Sequence, residues 1–278
     1  MPRNPPILLL VHGLGSSARA FRRLVPELPA GWSATAIDLP GYGSRTGEPG
    51  EVSIGAMAER LLPAVRDAHA TGRPVVACGH SMGGCVAVEL GDRAPELVAA
   101  VVAIAAPLTV EGRRTAATGS EGLIRRPGIG RIAWHLAPRR ALRRGLRSAF
   151  APGFAVPELF AADLARCSWR TFTTSTAAID AWLAEQPMAF RLAEPRVPTV
   201  YLHGPQDLRL DPRRSGRAPR DRADPHRHRR GRRAHADLGA ASGVRGLARE
   251  RARPARIGRR AGLSTVQLRC DAHGAPVI

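Results

Sequence analysis

The chain has 278 residues, a formal net charge of +19, 44% hydrophobic residues and 4% aromatic ones. That length suits one α/β domain with a sizeable core and an insertion, and no 18-residue apolar run is present to cross a membrane. Cys78, Cys85, Cys167 and Cys270 show neither metal-ligand spacing nor a secreted disulfide pattern, and the sequence implies no metal and no organic cofactor. A charge of +19 ordinarily suggests nucleic acid, but its distribution argues against a specific nucleic-acid partner. Residues 1–205 hold 23 arginines and 16 acidic residues, whereas residues 206–278 hold 19 and 7. All 42 basic residues are arginine. A GC-rich coding sequence explains that bias better than a phosphate-binding face, which can use lysine as well. The apolar stretch near the amino terminus is too short for a secretory signal, so a soluble cytoplasmic protein is expected.

In chain order, Ile7-Leu8-Leu9-Leu10-Val11 reads as a buried parallel strand. His12-Gly13-Leu14-Gly15-Ser16-Ser17 follows it as a glycine-rich turn that can offer a free backbone N–H to a developing oxyanion. Residues 34–38 form another strand end, and Leu39-Pro40-Gly41-Tyr42-Gly43-Ser44 makes a tight loop after Asp38. Across residues 53–70 the positions Ile54, Met57, Leu61, Leu62 and Val65 fall at helical spacing, interrupted at Pro63. Pro74-Val75-Val76-Ala77 is a short apolar strand, and Cys85-Val86-Ala87-Val88-Glu89-Leu90 continues as a helix. Between them lies Gly79-His80-Ser81-Met82-Gly83, a G-x-S-x-G pattern in a strand–turn–helix context. Such a turn exposes the serine hydroxyl at the carboxyl end of a central strand, beside the next backbone N–H and a helix N-terminus. Cys78 and Cys85 flank it as buried free thiols. Residues 97–105 are nearly all apolar, as a strand covered on both faces should be.

Residues 107–195 change character. They carry Arg113-Arg114, Arg125-Arg126, Arg139-Arg140 and Arg143-Arg144 among aromatics such as Trp134 and Phe154. A helical lid is expected here, with the arginine pairs on solvated helix faces and Trp134 and Phe154 as candidates to line an apolar pocket. Residues 198–202 return to the sheet, and Gly204-Pro205-Gln206-Asp207 follows. The next stretch, residues 211–237, has 10 arginines, and its only apolar members are Ala218, Ala223, Ala234 and Ala236. It cannot make a core strand, because it has nothing to bury.

Together, His12-Gly13-Leu14-Gly15, Asp38-Leu39-Pro40-Gly41-Tyr42-Gly43-Ser44 and Gly79-His80-Ser81-Met82-Gly83-Gly84 resemble the α/β-hydrolase superfamily. The likeness is greatest to its small serine esterases and lipases, and it extends to about residue 207. It implies a mostly parallel sheet with helices on both faces and an inserted helical lid. The division would be residues 1–106 for the first part of the core, 107–195 for the lid, 196–210 for a core strand and acid loop, and 211–278 for an arginine-rich, partly disordered end. By the family pattern Ser81 matches the nucleophile, the N–H groups of Leu14 and Met82 match the oxyanion hole, and Asp207 matches the triad acid. His12, His80 and His203 are read as structural, and Asp38 as a carboxylate partner for turn backbone. Among His226, His228, His235 and His273, His235 has the best spacing for the base.

The family pattern departs after Asp207, where a strand and a closing helix are due. Either residues 211–237 are a basic tail or the reading frame slips, and the residues favour the slip. Arg230-Gly231-Arg232-Arg233-Ala234-His235-Ala236-Asp237-Leu238-Gly239, read one base later in suitable GC-rich codons, gives Gly-Ala-Gly-Gly-His-Thr-Pro-Thr-Trp-Glu. That string is similar to the family's histidine loop. The implied activity is hydrolysis of a small carboxylic ester by two-step acyl transfer to water. Within the fold the rivals are a cofactor-free haloperoxidase or perhydrolase and a carbon–carbon bond hydrolase. Outside it, the rivals are a catalytically impaired pseudo-enzyme and a basic nucleic-acid-binding protein. The partner implied is a small ester-like molecule, and the oligomeric state is open.

Overall fold

A computed structural model describes residues 4–48, 52–113, 120–204, 207, 209, 264–267, 269–270 and 276–277. All of them belong to one of the chain's two compact units, residues 1–216 with 261–278. The readings of residues 211–237 as a tail or a slipped frame, and of His235 as the base, lie outside the described residues.

The sheet is built from β1 (Ile7–Val11), β2 (Ser33–Ile37), β3 (Val75–His80), β4 (Ala100–Ile104), β5 (Thr199–His203) and β6 (Ser264–Gln267), in the order β2-β1-β3-β4-β5-β6. Every pair is parallel. A short antiparallel pair, β7 (Arg269–Cys270) with β8 (Pro276–Val277), stands apart from it. In β1 all five residues are buried. Successive side chains point to opposite faces, so Leu9 and Val11 enter one core with Val75 and Ala77, while Leu8 and Leu10 enter a second with Phe21 and Cys78. This two-sided covering is what the unbroken apolar run of a parallel strand requires. Cys78, Cys85 and Cys167 are free and buried, as read for the first two.

Helices cover the larger core. Pro63 divides the helical pattern of residues 53–70 into α1 (Ile54–Glu59) and α2 (Leu62–Ala70), taking a place in the first turn of α2 where its missing N–H costs nothing. Ser53 caps α1 by accepting the Ala56 N–H at 3.0 Å. Helix α3 (Met82–Arg93) follows β3 directly and buries nine of its residues.

Between β4 and β5 runs a helical insertion: α4 (Ser120–Ile124), α5 (Ile129–Leu136), α6 (Arg139–Leu146), α7 (Glu158–Arg166), α8 (Trp169–Glu185) and α9 (Met188–Ala193). Helix α8 fastens it. Ile179, Trp182 and Leu183 join the main core. The Trp182 indole donates to Glu89 Oε2 at 2.8 Å, and the Tyr42 hydroxyl donates to Ser175 Oγ at 2.8 Å.

One expectation needs amendment. The arginine pairs are not uniformly solvated: Arg113 is only 6% exposed. It pairs with Asp180 and with Glu121 at 3.1 Å, and Arg125 reaches Asp180 at 2.8 Å. Carboxylates from α4 and α8 meet there and draw both guanidiniums inward, as buried charge requires, whereas Arg139, Arg140, Arg143 and Arg144 are exposed. The arginine-rich end also contributes a strand. Leu202 of β5 pairs with Val266 of β6, and Tyr201 pairs with Thr265. The β-branched Thr265-Val266 step was the available signal.

Replacing Leu9, 1% exposed at the centre of the main core, by alanine is expected to lower unfolding free energy by about 2–5 kcal/mol. The same change at Leu136, 75% exposed, should stay within about 0.5 kcal/mol. Denaturant titration of the two variants beside the wild type checks the contrast.

Candidate active site

All six strands of the sheet run parallel, so their carboxyl ends share one edge. From β1 the chain moves outward to β2, then returns to β3 on the other side of β1. In open α/β sheets a ligand crevice forms at such a reversal of strand order, beyond the carboxyl ends. Here the reversal lies between β1 and β3, and the segments leaving those ends are the glycine-rich turn and Ser81.

Ser81 joins β3 to α3 in a single residue. Its backbone has φ 55° and ψ −118°, a conformation that L-residues seldom adopt. The sequence allows this because Gly79 and Gly83, two residues to either side, have no side chains. A Cβ on Gly79 would overlap the carbonyl oxygen of Gly83, and one on Gly83 would overlap the carbonyl of Val11. Strand, helix and the end of β1 therefore meet at backbone distance. The Ser81 N–H donates to the Ile104 carbonyl at 2.8 Å, and its own carbonyl accepts the Gly84 N–H at 2.9 Å. Its side chain is half-buried.

The glycine-rich turn lies against this junction. A Cβ placed on Gly13 would sit 3.2 Å from the Ser81 Cβ and 3.1 Å from His80 Nδ1. Met82 is the first residue of α3, where N–H groups lack intrahelical acceptors. Among the described residues, neither the Leu14 nor the Met82 N–H donates to a backbone carbonyl. Gly13 thus meets Ser81 from the turn, and Met82 follows it at the start of the helix. Ser16 Oγ, in the same turn, is buried and meets no hydrogen-bond partner among the described residues.

Two polar side chains hold the turn to the Asp38 loop. His12 is fully buried. Its Nε2 accepts the Leu39 N–H at 3.0 Å, which leaves the proton on Nδ1 to donate to the Gly13 carbonyl at 2.9 Å. Burial holds the imidazole pKa below 6.5, against the raising effects of the Gly13 bond and the nearby Asp38 and Asp163 charges. His12 is a neutral structural link, as read from the sequence. Asp38 accepts the Ala18 N–H at 2.7 Å through one oxygen, and the Ser44 N–H and hydroxyl, each at 2.8 Å, through the other. Burial works to raise its pKa, but these donors outweigh it and the carboxyl lies below its ordinary 3.8.

His80 ends β3 with part of its side chain open to solvent. Crowding by protein atoms, then the Arg209 charge, lowers its pKa below 6.5, while Asp207 acts in the opposite sense. His203 ends β5, and its Nδ1 lies 2.6 Å from the Gly204 carbonyl. The chain turns after β5: the Asp207 N–H donates to the Gly204 carbonyl at 3.1 Å, and Asp207 Oδ1 accepts the Arg209 N–H at 2.8 Å. Arg209 reaches the insertion, donating to Ser148 Oγ at 3.1 Å and to the Gly145 carbonyl at 3.4 Å.

Of the two aromatics expected to line a pocket, Trp134 packs within the insertion and Phe154 borders a cavity. Trp134 tilts against Phe172 with ring centres 4.7 Å apart and donates to the Cys167 carbonyl at 3.0 Å. Phe154 stacks on Phe150 and lines a cavity of about 430 Å³ with Gly145 and Ser148. Among the described residues, no helix is long and apolar enough to cross a membrane.

The sequence pattern of the alpha/beta hydrolase fold matches residues 6–235. The chain belongs to that family. Its curated relatives match over a shorter stretch. The magnesium-chelatase 30 kDa subunit of Rhodobacter capsulatus is 39% identical over 108 residues, 38% of this chain and 37% of that protein. The pimeloyl-[acyl-carrier protein] methyl ester esterase of Aromatoleum aromaticum is 38% identical over 102 residues, 36% of this chain and 37% of that one. The match thus spans little more than a third of either relative. Among solved structures, the N-acyl homoserine lactonase AidH superposes with a TM-score of 0.59 at 19% identity, over 75% of this chain and 73% of that one. At that identity the likeness establishes the fold alone.

The neutral His12 gives this hydrolase-family protein a pH signature. Its folded pKa lies below the ordinary 6.5, so on acidification the unfolded chain takes up the proton first. The stability difference between wild type and His12→Asn, which cannot titrate, should be constant above about pH 7 and shrink as pH falls through 6.5. Denaturation midpoints from pH 8 to pH 5 measure it. A difference independent of pH would contradict a buried neutral imidazole.

Proposed function

We propose that the protein is a serine hydrolase that cleaves a small carboxylic ester by two-step acyl transfer to water. Ser81 Oγ attacks the carbonyl carbon, and the Leu14 and Met82 N–H groups receive the charge that develops on the carbonyl oxygen. The alcohol leaves with the serine proton, relayed by a general base, and water then attacks the acyl-serine ester by the reverse route. Asp207 is assigned as the acid that orients the base, and His235 as the base in the chain as written. Residues 107–195 would act as the lid over this site. The observation that carries the reading is the backbone of Ser81, φ 55° and ψ −118° at the head of α3. A strained residue between strand and helix persists only where its surroundings impose it, and such strain clusters at active sites. The esterase named among the curated relatives agrees with the substrate class. A bare serine is a poor nucleophile, so the proposal depends on a histidine reaching it.

A fluorophosphonate probe is expected to label Ser81 and no other residue, and Ser81→Ala should abolish both labelling and hydrolysis of p-nitrophenyl butyrate. Folded protein that stays unlabelled, or labels equally after the substitution, would refute the assignment.

We further infer that the reading frame slips after Asp207, which makes the chain as written a weak esterase. An imidazole displaced by about 1 Å already costs about 100-fold in rate. A gene restored in frame after Asp207 should therefore raise kcat/KM by at least about 100-fold and raise the melting temperature. Equal activity in both proteins would show that His235, or another histidine, already completes the site.

A further inference from the structure

The glycine-rich turn after β1 is gripped from outside the sheet. Ser17 Oγ donates to Asp163 Oδ2 at 2.6 Å, and the Arg19 guanidinium donates to Asp163 Oδ1. Asp163 belongs to α7, 146 residues further along the chain, and is only 5% exposed. The next residue of α7 touches the same turn: a Cβ on Gly15 would lie 2.6 Å from Leu164 Cδ1. Gly15 has φ +70°, so no other residue would sit there without strain. Ser17 in turn caps the short helix Ala18–Phe21 by accepting the Arg19 N–H at 3.3 Å. Adjacent residues of one helix thus hold positions 15 and 17, just past Leu14.

A carboxylate this buried is tolerated only when donors meet its oxygens, and here both are met. As a stability device it is a poor choice, because apolar packing of similar volume serves as well or better. Its particular effect is geometric. It fixes a turn that contributes a backbone donor, and it does so from the insertion rather than from the sheet.

We propose that Asp163 is a positioning residue for the oxyanion turn. Through Ser17 and Arg19 it sets the place of the Leu14 N–H, so that this donor is correctly placed only while α7 is docked. The proposal rests on the assignment of Leu14 under Proposed function. Asp163 itself touches no reacting atom. A donor aimed at the transition state contributes to kcat more than to substrate binding, so loosening it should spare KM.

The test compares wild type with Asp163→Ala, Asp163→Asn and Ser17→Ala. It uses p-nitrophenyl butyrate kinetics, the rate of fluorophosphonate labelling, and amide hydrogen exchange. Asp163→Ala should lower kcat by about 30-fold or more, somewhat less than the roughly 100–1000-fold cost of removing an oxyanion donor outright, with KM changed by less than about threefold. Labelling should slow in parallel, and exchange at residues 13–17 should quicken while β3 keeps its protection. Asp163→Asn, which still offers Ser17 an acceptor, should recover most of the loss, and Ser17→Ala should reproduce part of it. Wild-type kcat in folded Asp163→Ala would overturn the proposal. So would a loss of kcat that accompanies loss of protection throughout β3, which would mark general destabilisation. If the wild type neither hydrolyses ester nor labels, Proposed function fails separately and the exchange data still decide the clamp. Faster exchange confined to residues 13–17 upholds it, and unchanged exchange there removes it.

Discussion

The structure depends on one close approach, that of α3 to the sheet where β3 ends. Gly79 and Gly83 bring strand and helix to backbone contact, and Gly83 also presses on the end of β1. A chain that must turn from strand to helix within one residue at that distance has few conformations left. Ser81 takes one with positive φ, at a cost of about 1–3 kcal/mol. The buried Met82, Val86, Val88 and Leu90 of α3 offset that cost, since each fully buried side chain of this kind contributes about 1.5–3 kcal/mol. The half-buried serine and the close packing of α3 are therefore two results of one constraint. A side chain at Gly79 or Gly83 would disturb both together.

Around that junction, polar side chains do what the sheet cannot. The ladder fixes β1 and β3 but ends at Val11 and His80. Beyond it the loops are tied by single groups: His12 to Leu39, Asp38 to Ala18 and Ser44, Asp163 to Ser17 and Arg19. Each group is surrounded by donors or acceptors that match its charge, and His12 avoids charge altogether by staying neutral. The three links run in series from the turn to the Asp38 loop and from the turn to the insertion. A displacement of α7 would thus be felt at Gly15 and Ser17 before it reached the sheet.

How much of this was legible in the sequence varied with the range of the interaction involved. Strands β1, β3 and β4 were readable because a parallel strand buried on both faces leaves an unbroken apolar run, and Ser81 because its glycines stand at fixed local spacing. The break at Pro63 was readable for the same local reason. Asp163, Arg113 and Asp180 were not. Their partners lie far along the chain, and a lone Asp or Arg on a helix looks the same whether it faces solvent or a buried counter-charge. Arg113 illustrates this well: its pair looks like the others in sequence, yet it meets two carboxylates in a nearly closed site. Strand β6 was not read because only Thr265 and Val266 among its four residues are β-branched, within an arginine-rich stretch.

The two sides of the candidate site rest on different supports. Ser81, Gly13 and Met82 are anchored by the sheet and by α3, through backbone bonds and buried apolar surface. Asp207 stands on a turn after β5, closed by the Gly204 carbonyl and by the Arg209 N–H. The Arg209 side chain ends on Ser148 and Gly145 of the insertion. The proposed nucleophile is therefore held by the core, whereas the proposed acid is tied through Arg209 to the insertion. The glycine-rich turn is tied by His12 to the Asp38 loop and through Ser17 to Asp163 of α7. In such an arrangement a movement of the insertion changes the relation between the two halves without unfolding either. Control of the reaction by the insertion would then need no contact between it and Ser81, because both Asp163 and Arg209 already connect it to groups that face the serine's end of the sheet.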